Sequence, residues 1–586
     1  MVKQSLRAPF ARRGLVLSVA ARVLSGLGVL ALTGCAVGPD FVSPPPPMAD
    51  RFLPEPVKSA GSQKVVVVEE IPARWWEVFH NRNLNALIEA SIEHNASLQA
   101  AQAAIRIAYY QAEAQKGGFL PQVQLDSSDT RNLQSPSQFQ VTPNASTNPY
   151  SYFWKSLTVT YSPDIWGANL RAVQSLEAQT EQQRYQLEAA YLALTSNVAS
   201  AAVQEAMLRG QIAATLEVIK EARDIVTILR KQYGIGAVAQ ADVLVQEAAL
   251  AQMEQLLPPL EKSLALQRDL LTALAGQYST AQVPETFNMK ALTLPSHLPV
   301  TLPSAFVRQR PDVRAAEAAM HSASAQIGMA IAARLPTVTL SAQGGYQGYS
   351  MSQLFLPQTG FWTLSAGVTQ PIFQGFSLLN KQRAAEAGLT QAEAQYRQTV
   401  IGAFQNVADA LRALQADAKA VQAAVHAEVV AKKSFEIVKK QFLMAEGSSV
   451  NMLQVLNAEQ TWLQAAVTRI GAEGQRLGDV VGLFMALGGD WKDENLKRLS
   501  PTIEPARPTL QEVAKIDEPV NPDWFPTSFE LGKSPWASDA VPPPPPGAPV
   551  LAAPVLVAPV LVAPAPLSAA PLGAPPSTGW FPSFLE

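Results

Sequence analysis

Residues that commonly carry chemistry are sparse in this sequence and badly spaced for it. Five histidines, His80, His94, His297, His321 and His426, lack the short separations that place two imidazoles on one metal. A single cysteine, Cys35, forbids an intrachain disulfide or a thiolate cluster. No Gly-rich phosphate loop, nucleophile elbow or His-Glu-x-x-His motif occurs. Covalent catalysis is therefore not expected, and neither a cofactor nor a metal is. A net charge of −3 offers no basic field for nucleic acid. With 48% hydrophobic and 16% charged residues, against about 25% charged in ordinary soluble domains, parts of the surface are not built to face water.

The lone cysteine reads as an address. Lys3, Arg7, Arg12, Arg13 and Arg22 lie in a leader without acids, followed by the apolar run Val23 to Leu32 and then Leu32-Thr33-Gly34-Cys35. That layout is a signal peptide over residues 1–34. The run is too short for the ~20 residues of a spanning helix. The Leu-Thr-Gly-Cys tetrad resembles the lipobox of bacterial lipoproteins, which implies cleavage before Cys35 and a covalent lipid on its thiol. Two or three acyl chains suffice for stable anchoring, and Ala36, where an acid would resemble an inner-membrane retention signal, points to the outer membrane. Without its leader the chain has 40 basic and 48 acidic residues, so it has no excess positive charge with which to seek acidic partners. Residues 35–72, with Pro44 to Pro47 in a row, read as an extended linker.

What positions any functional residue is a duplicated unit. Leu120-Pro121-Gln122-Val123 returns as Leu335-Pro336-Thr337-Val338, and Val159-Thr160 with Pro163 returns as Val368-Thr369 with Pro371. The series Leu187, Tyr191, Leu194, Val198 matches Val400, Phe404, Val407, Leu411, and Asp242-Val243-Leu244 matches Gln454-Val455-Leu456. Two repeats follow, 73–302 and 303–492. Each begins with a helical stretch (Leu84 to Lys116; Pro311 to Ala333). Each continues with a β-hairpin, at about 120–161 and 337–370, whose alternating segments are rich in Val, Thr, Tyr, Phe and Trp. Each then runs into a helical pattern of about 65 residues, roughly 100 Å long, with the 4-and-3 spacing of a coiled-coil seam. Glycine turns, at about 233–241 and 443–450, reverse the chain. Pro258-Pro259 should kink or divide the first return helix, a break the second copy lacks.

Four strands of about ten residues match the length needed to cross a bilayer at a tilt. Phe119, Tyr150, Tyr152, Phe153, Trp154, Tyr346, Tyr349, Phe361 and Trp362 flank them, as in interfacial belts. Four strands cannot close a barrel, and open edges in hydrocarbon are costly, so other copies must complete it. The strand count requires at least two chains and does not choose three.

Over about residues 35 to 492 the chain resembles the TolC/OprM-type outer-membrane efflux proteins, in their NodT-like lipoprotein branch. The residues carrying the likeness are Trp75-Trp76-Glu77-Val78-Phe79 with Leu84-Asn85-Ala86-Leu87-Ile88, the run Arg308 to Glu317, Gly236-Ala237-Val238 with Asp242-Val243-Leu244, and Leu256-Leu257-Pro258-Pro259-Leu260. The resemblance implies a mixed fold. Its homotrimer would form a twelve-stranded transmembrane antiparallel β-barrel, continued by a long α-helical coiled-coil barrel in the periplasm. It also implies a periplasmic adaptor protein and an inner-membrane pump of the resistance-nodulation-division (RND) type as partners, with drugs or other small toxic compounds as cargo. The expected function is passive conduction, an exit duct that does no covalent chemistry. An exit duct for secreted proteins would share these features. A periplasmic adaptor scaffold should instead have one helical hairpin and soluble β-domains.

The turns carrying Gly234, Gly236 and Gly447 would be the adaptor-docking tips. Asp242 has two readings, a member of an acid ring facing the bore or an acid favouring the return helix through its dipole. In the second copy Gln454 takes its place and Asn457 stands where relatives often carry an acid, so a gate is expected to be asymmetric. The Arg308 to Glu317 run reads as a helix start with surface charges, Pro311 and Asp312 suiting the first turn. Trp75-Trp76 reads as packing. Residues 493–586 form a Pro/Ala-rich tail expected to be extended, in which Trp524-Phe525-Pro526 and Trp580-Phe581-Pro582 are either docking motifs or a neutral repeat.

Overall fold

The computed structural model describes residues 36–45, 47, 49, 51–55, 59–68, 71–72, 74–133, 149–444 and 451–489, all within the first of two units, Met1–Ala506. The leader, Cys35, most of the loop 132–148, the second turn with Gly447, and the tail with its two Trp-Phe-Pro motifs lie outside the described residues.

Chain order is β1 (Ser59–Ala60), β2 (Gln63–Val67), α1 (Arg82–His94), α2 (Ala96–Lys116), β3 (Gln122–Asn132), β4 (Tyr150–Tyr161), α3 (Ala168–Gly234), α4 (Gln240–Gln255) and α5 (Leu257–Leu274). The second copy follows as β5 (His297–Val300), α6 (Pro303–Gln309), α7 (Pro311–Ala332), β6 (Thr337–Gly348), β7 (Gly360–Thr369), α8 (Ser377–Met444) and α9 (Met452–Leu487). The single helix expected from Leu84 to Lys116 is two. Asn95 ends α1 and caps α2, its side chain accepting from the Ser97 amide at 2.9 Å and donating to the Leu274 carbonyl at 3.1 Å. Pro258-Pro259 do divide the first return helix: α4 stops at Gln255 and α5 starts at Leu257, whereas α9 runs 36 residues unbroken.

The rods α3 and α8 have 67 and 68 residues, each about 100 Å of helix. Their hairpins pack on a lower core in which Val218, Ile225, Leu229, Met253, Phe435, Val455 and Trp462 are buried, with Trp462 stacked on Phe435 at 5.2 Å. A second core gathers where the helices meet the small sheet β1-β2-β5, in which β2 and β5 run parallel. Trp75 and Trp76 are fully buried there, Trp75 stacking on Phe484 at 5.2 Å. They are packing residues. Arg476 ties this sheet to α9, donating to the Ala60 carbonyl at 3.0 Å and to Gln63 at 2.9 Å.

One expectation for the Arg308 to Glu317 run is overturned. Pro311 does open α7, with Asp312 in its first turn, but Arg310 is no surface charge. Its residue is 8% exposed, and its guanidinium grips both Asp312 oxygens at 2.8 Å and the Ala486 carbonyl at 2.6 Å. A buried guanidinium must satisfy its donors, and the open C-terminal turn of α9 supplies a carbonyl.

Candidate functional site

The four-stranded sheet β3-β4-β6-β7 is antiparallel throughout. Register places Val123 opposite Val159, Val159 opposite Ala342 and Ala342 opposite Leu364; likewise Leu125 faces Leu157, and Val338 faces Val368. Because side chains alternate with period two, these residues and Leu340, Ala366 and Trp362 share one face. Leu125 is 79% exposed, Leu364 and Val368 71% and Trp362 76%, while Val159, Val338 and Ala342 are half-buried; toward the distal end the same face carries Ser127, Asp129 and Lys155, Lys155 pairing with Asp129 at 2.8 Å. The opposite face carries Gln124, Asp126, Ser156, Thr158, Ser341, Gln343, Thr363 and Ser365, linked across strands by Gln343 to Ser156 at 3.2 Å, Thr158 to Asp126 at 3.1 Å and Ser341 to Ser365 at 2.6 Å. An apolar exposed face backed by a polar one is how a barrel wall stands between lipid and a wet bore. The flanking aromatics do not form two even belts. Tyr150, Tyr152, Trp154, Tyr349 and Phe361 meet in ring contacts at the end of the sheet distal to the rods, and only Phe119 of the expected set lies at the helical end. Ile372, Phe373 and Phe376, all strongly exposed, join it there.

At that helical end the N-terminal segment is seated. The Val37 amide donates to the Trp166 carbonyl at 3.0 Å, and Arg171, buried, donates to the Val37 and Gly38 carbonyls and pairs with Asp40 at 2.8 Å. Gly38, at φ +94, touches Gly328 so closely that a Cβ would stand 2.5 Å from its Cα. Downstream, Phe41 stacks on His321 at 4.6 Å, and Ser43 reaches Glu317. Ala36 abuts Gly167, six residues beyond the end of β4.

At the far end of the first rod the chain reverses between Gly234 and Gln240. Gly236 adopts φ +76, and its amide and that of Ala237 close the turn on the Tyr233 and Gln232 carbonyls at 2.9 Å. Gly234 is ordinary helix. Tyr233, Ile235, Leu244 and Val245 are exposed around this turn, as is Leu453 on the second hairpin. Asp242 is half-exposed in the first turn of α4, whose N-cap residue, Ala239, offers no side-chain bond. Gln454 holds the equivalent third position of α9, but its side chain accepts from the Asn451 amide at 3.1 Å while the Gln454 amide donates to Asn451 at 3.0 Å, a capping box. Asn457 is exposed one turn later.

Sequence reasoning missed two acids whose carboxyls are raised, Glu459, wholly buried, and Asp417, half-buried. Glu459 of α9 is wholly buried against Gln246 of α4, which donates to it at 3.2 Å, and burial pushes its carboxyl up to about 7. Its repeat counterpart Glu247 is half-buried and pairs with Arg230 at 2.8 Å. Asp417 is raised to about 7 by burial and by the neighbouring Asp479. Among the described residues no group of acids, histidines or cysteines is placed to hold a metal, and no helix is long and apolar enough to cross a membrane.

The family model for outer membrane efflux proteins matches this chain twice, over residues 87–277 and 302–489, together well over half its length. The chain belongs to the outer membrane efflux protein family. It is an outer-membrane transport channel with a periplasmic part, not an enzyme. Relatives of this efflux protein include the pyoverdine export outer membrane protein OpmQ of Pseudomonas putida, 26% identical over 78% of this chain and 96% of that protein. The toluene efflux pump outer membrane protein TtgC of Pseudomonas putida is 26% identical over 79% and 94%. The same fold occurs in the outer membrane channel CmeC of Campylobacter jejuni, with a TM-score of 0.71 at 22% identity, over 80% of this chain and 99% of that one.

Proposed function

We propose that three copies of this efflux protein close a twelve-stranded barrel in the outer membrane above a twelve-helix periplasmic tunnel, each copy contributing the two repeats 73–302 and 303–492. The observation that carries this reading is the sheet, with an apolar exposed face, a polar face and two unpaired edges, β3 and β7. Eight strands from two copies would leave a lumen filled by side chains; twelve leave a water-filled bore. Conduction is passive. Energy comes from an inner-membrane pump of the RND type through a periplasmic adaptor, which docks at the hairpin tips around Gly234, Gly236 and Gly447. The toluene efflux relative TtgC supports small toxic compounds as the cargo class, and the pyoverdine export relative OpmQ supports outward transport of a small molecule.

Cys35 carries the lipid, and no other cofactor is needed. The seat of Ala36 beside Gly167, six residues beyond the end of β4, supports this reading, because a lipid on the preceding residue would lie near the strands. Asp242 serves the gate from the first hairpin alone, since Gln454 is occupied in capping its helix. Purified protein should run as a heat-resistant trimer and open discrete conductances in a planar bilayer. A monomer without conductance refutes the reading.

A further inference from the structure

The joint between the two helical hairpins holds an acid with no charged partner of its own. Glu459 on α9 faces Gln246 on α4 across the junction of the second and first hairpins. Both residues are 0% exposed. Only one bond joins them, from the Gln246 amide nitrogen to one carboxylate oxygen, leaving two buried acceptors, Glu459 Oε1 and Gln246 Oε1, without a donor. The repeat accounts for the orphan. In the first copy the equivalent Glu247 has Arg230, whereas the position equivalent to Arg230, 213 residues on by the offset that relates the two rods, is Leu443. The nearest charges are Lys439 of α8, which would lower the acid's proton affinity, and Glu221 of α3, which would raise it; these two pair with each other. Gln246 and Glu459 stand six and seven residues above the starts of their helices, about 10 Å of rise from the tips.

Two facing acceptors without a donor need a proton between them. We propose that Glu459 and Gln246 form a proton-binding site that latches the two hairpins together above the tip. Protonated, Glu459 donates from Oε1 to Gln246 Oε1 while Gln246 Nε2 donates to Oε2. The pair is then a closed acid–amide couple with every buried atom satisfied. Ionised, the acid leaves a charge and two acceptors buried in the joint, and α4 and α9 separate more readily. The latch rests on the exit-duct reading only for its consequence, a tip that loosens as pH rises; the site itself is a property of the folded chain.

The sign follows from linkage. A carboxyl held near 7 in the closed joint and returning to its ordinary 4.5 when the joint opens loses closing strength as pH rises between those values, and the loss is complete above 7. Between pH 6 and 8 the opening equilibrium should rise about tenfold. Hydrogen exchange of the full-length trimer in nanodiscs, corrected for intrinsic pH dependence, reads this directly in peptides covering residues 240–255 and 452–464. Glu459→Gln should keep these amides equally protected at both pH values. Gln246→Leu, which removes both bonds of the couple, should lower the protection of these amides at pH 6 towards its level at pH 8. An unchanged pH dependence in Glu459→Gln, or none in the natural chain, overturns the latch. Bilayer conductance on the same samples separates the two ideas: a latch without any conductance condemns the duct and leaves the proton site standing.

Discussion

In the proposed trimer, closure between copies has a definite register, and it follows from the repeat inside one chain. Strands β3 and β6 are related by 215 positions, as Val123 is to Val338, and β4 and β7 by 209, as Val159 is to Val368. These offsets turn the Val123–Val159 pair of β3 and β4 into the observed Val338–Val368 pair of β6 and β7. Applied to the middle joint, where Val159 faces Ala342, they set Val368 of one copy opposite Ser127 of the next and Ser365 opposite Thr130. The apolar and polar faces then stay continuous across the joint, which a one-residue slip would reverse. The driving force is large. Alternate residues of β7, Gly360–Thr369, direct about ten backbone groups outward. At several kcal/mol for each group left unpaired in hydrocarbon, one open edge costs tens of kcal/mol, more than the roughly 5–15 kcal/mol of a whole domain's stability. Ser365→Cys with Thr130→Cys should therefore form a disulfide-linked trimer in the outer membrane without disturbing the sole natural cysteine, Cys35. Directly opposed Cβ atoms lie about 4.5–5.5 Å apart, close to disulfide reach. Pairing Ser365→Cys with Ser128→Cys displaces one sulfur by about 6.6 Å along the strand and should not link. Linkage by the slipped pair, or by neither, refutes this derivation.

The remaining predictions concern the tip, the N-terminal segment and the second raised acid. Asp242→Ala should raise single-channel conductance, whereas Gln454→Ala should leave conductance unchanged and cost α9 about 1 kcal/mol through its lost capping bond; equal conductance effects would remove the asymmetry. Gly38→Ala forces a Cβ to within 2.5 Å of Gly328 at a φ of +94, so residues 36–45 should leave their groove and become sensitive to protease while the trimer persists. Asp417, held up to about 7, contributes stability that falls as pH rises from its ordinary 3.8. Asp417→Asn should flatten that part of the urea-denaturation profile between pH 5 and 8.

Much of the architecture was legible because it rests on period and repetition. The strand alternation in Val338-Thr339-Leu340-Ser341 and the seam at Leu187, Tyr191, Leu194 and Val198 are one-dimensional signals, set by the geometry of each element. Asn95 escaped notice because a helix break that also caps the next helix resembles an ordinary polar residue on a helical face. Arg310 escaped for a different reason. A charge in a sequence carries no mark of burial, and only the meeting of α7 with the end of α9 supplies the Ala486 carbonyl that holds it.

By itself the sequence determined that the chain is duplicated, that each copy joins a hairpin to a rod, and that four strands cannot be a finished wall, because backbone spacing and alternation do not depend on what lies elsewhere. Tertiary structure alone decided that the four strands bring Leu125, Leu157, Leu340, Leu364 and Val368 to one side, that Ala36 packs against Gly167, and that Glu459 has an amide where Glu247 has an arginine. Those facts depend on which residues from distant stretches come within a few ångströms of one another, and no local pattern encodes that distance.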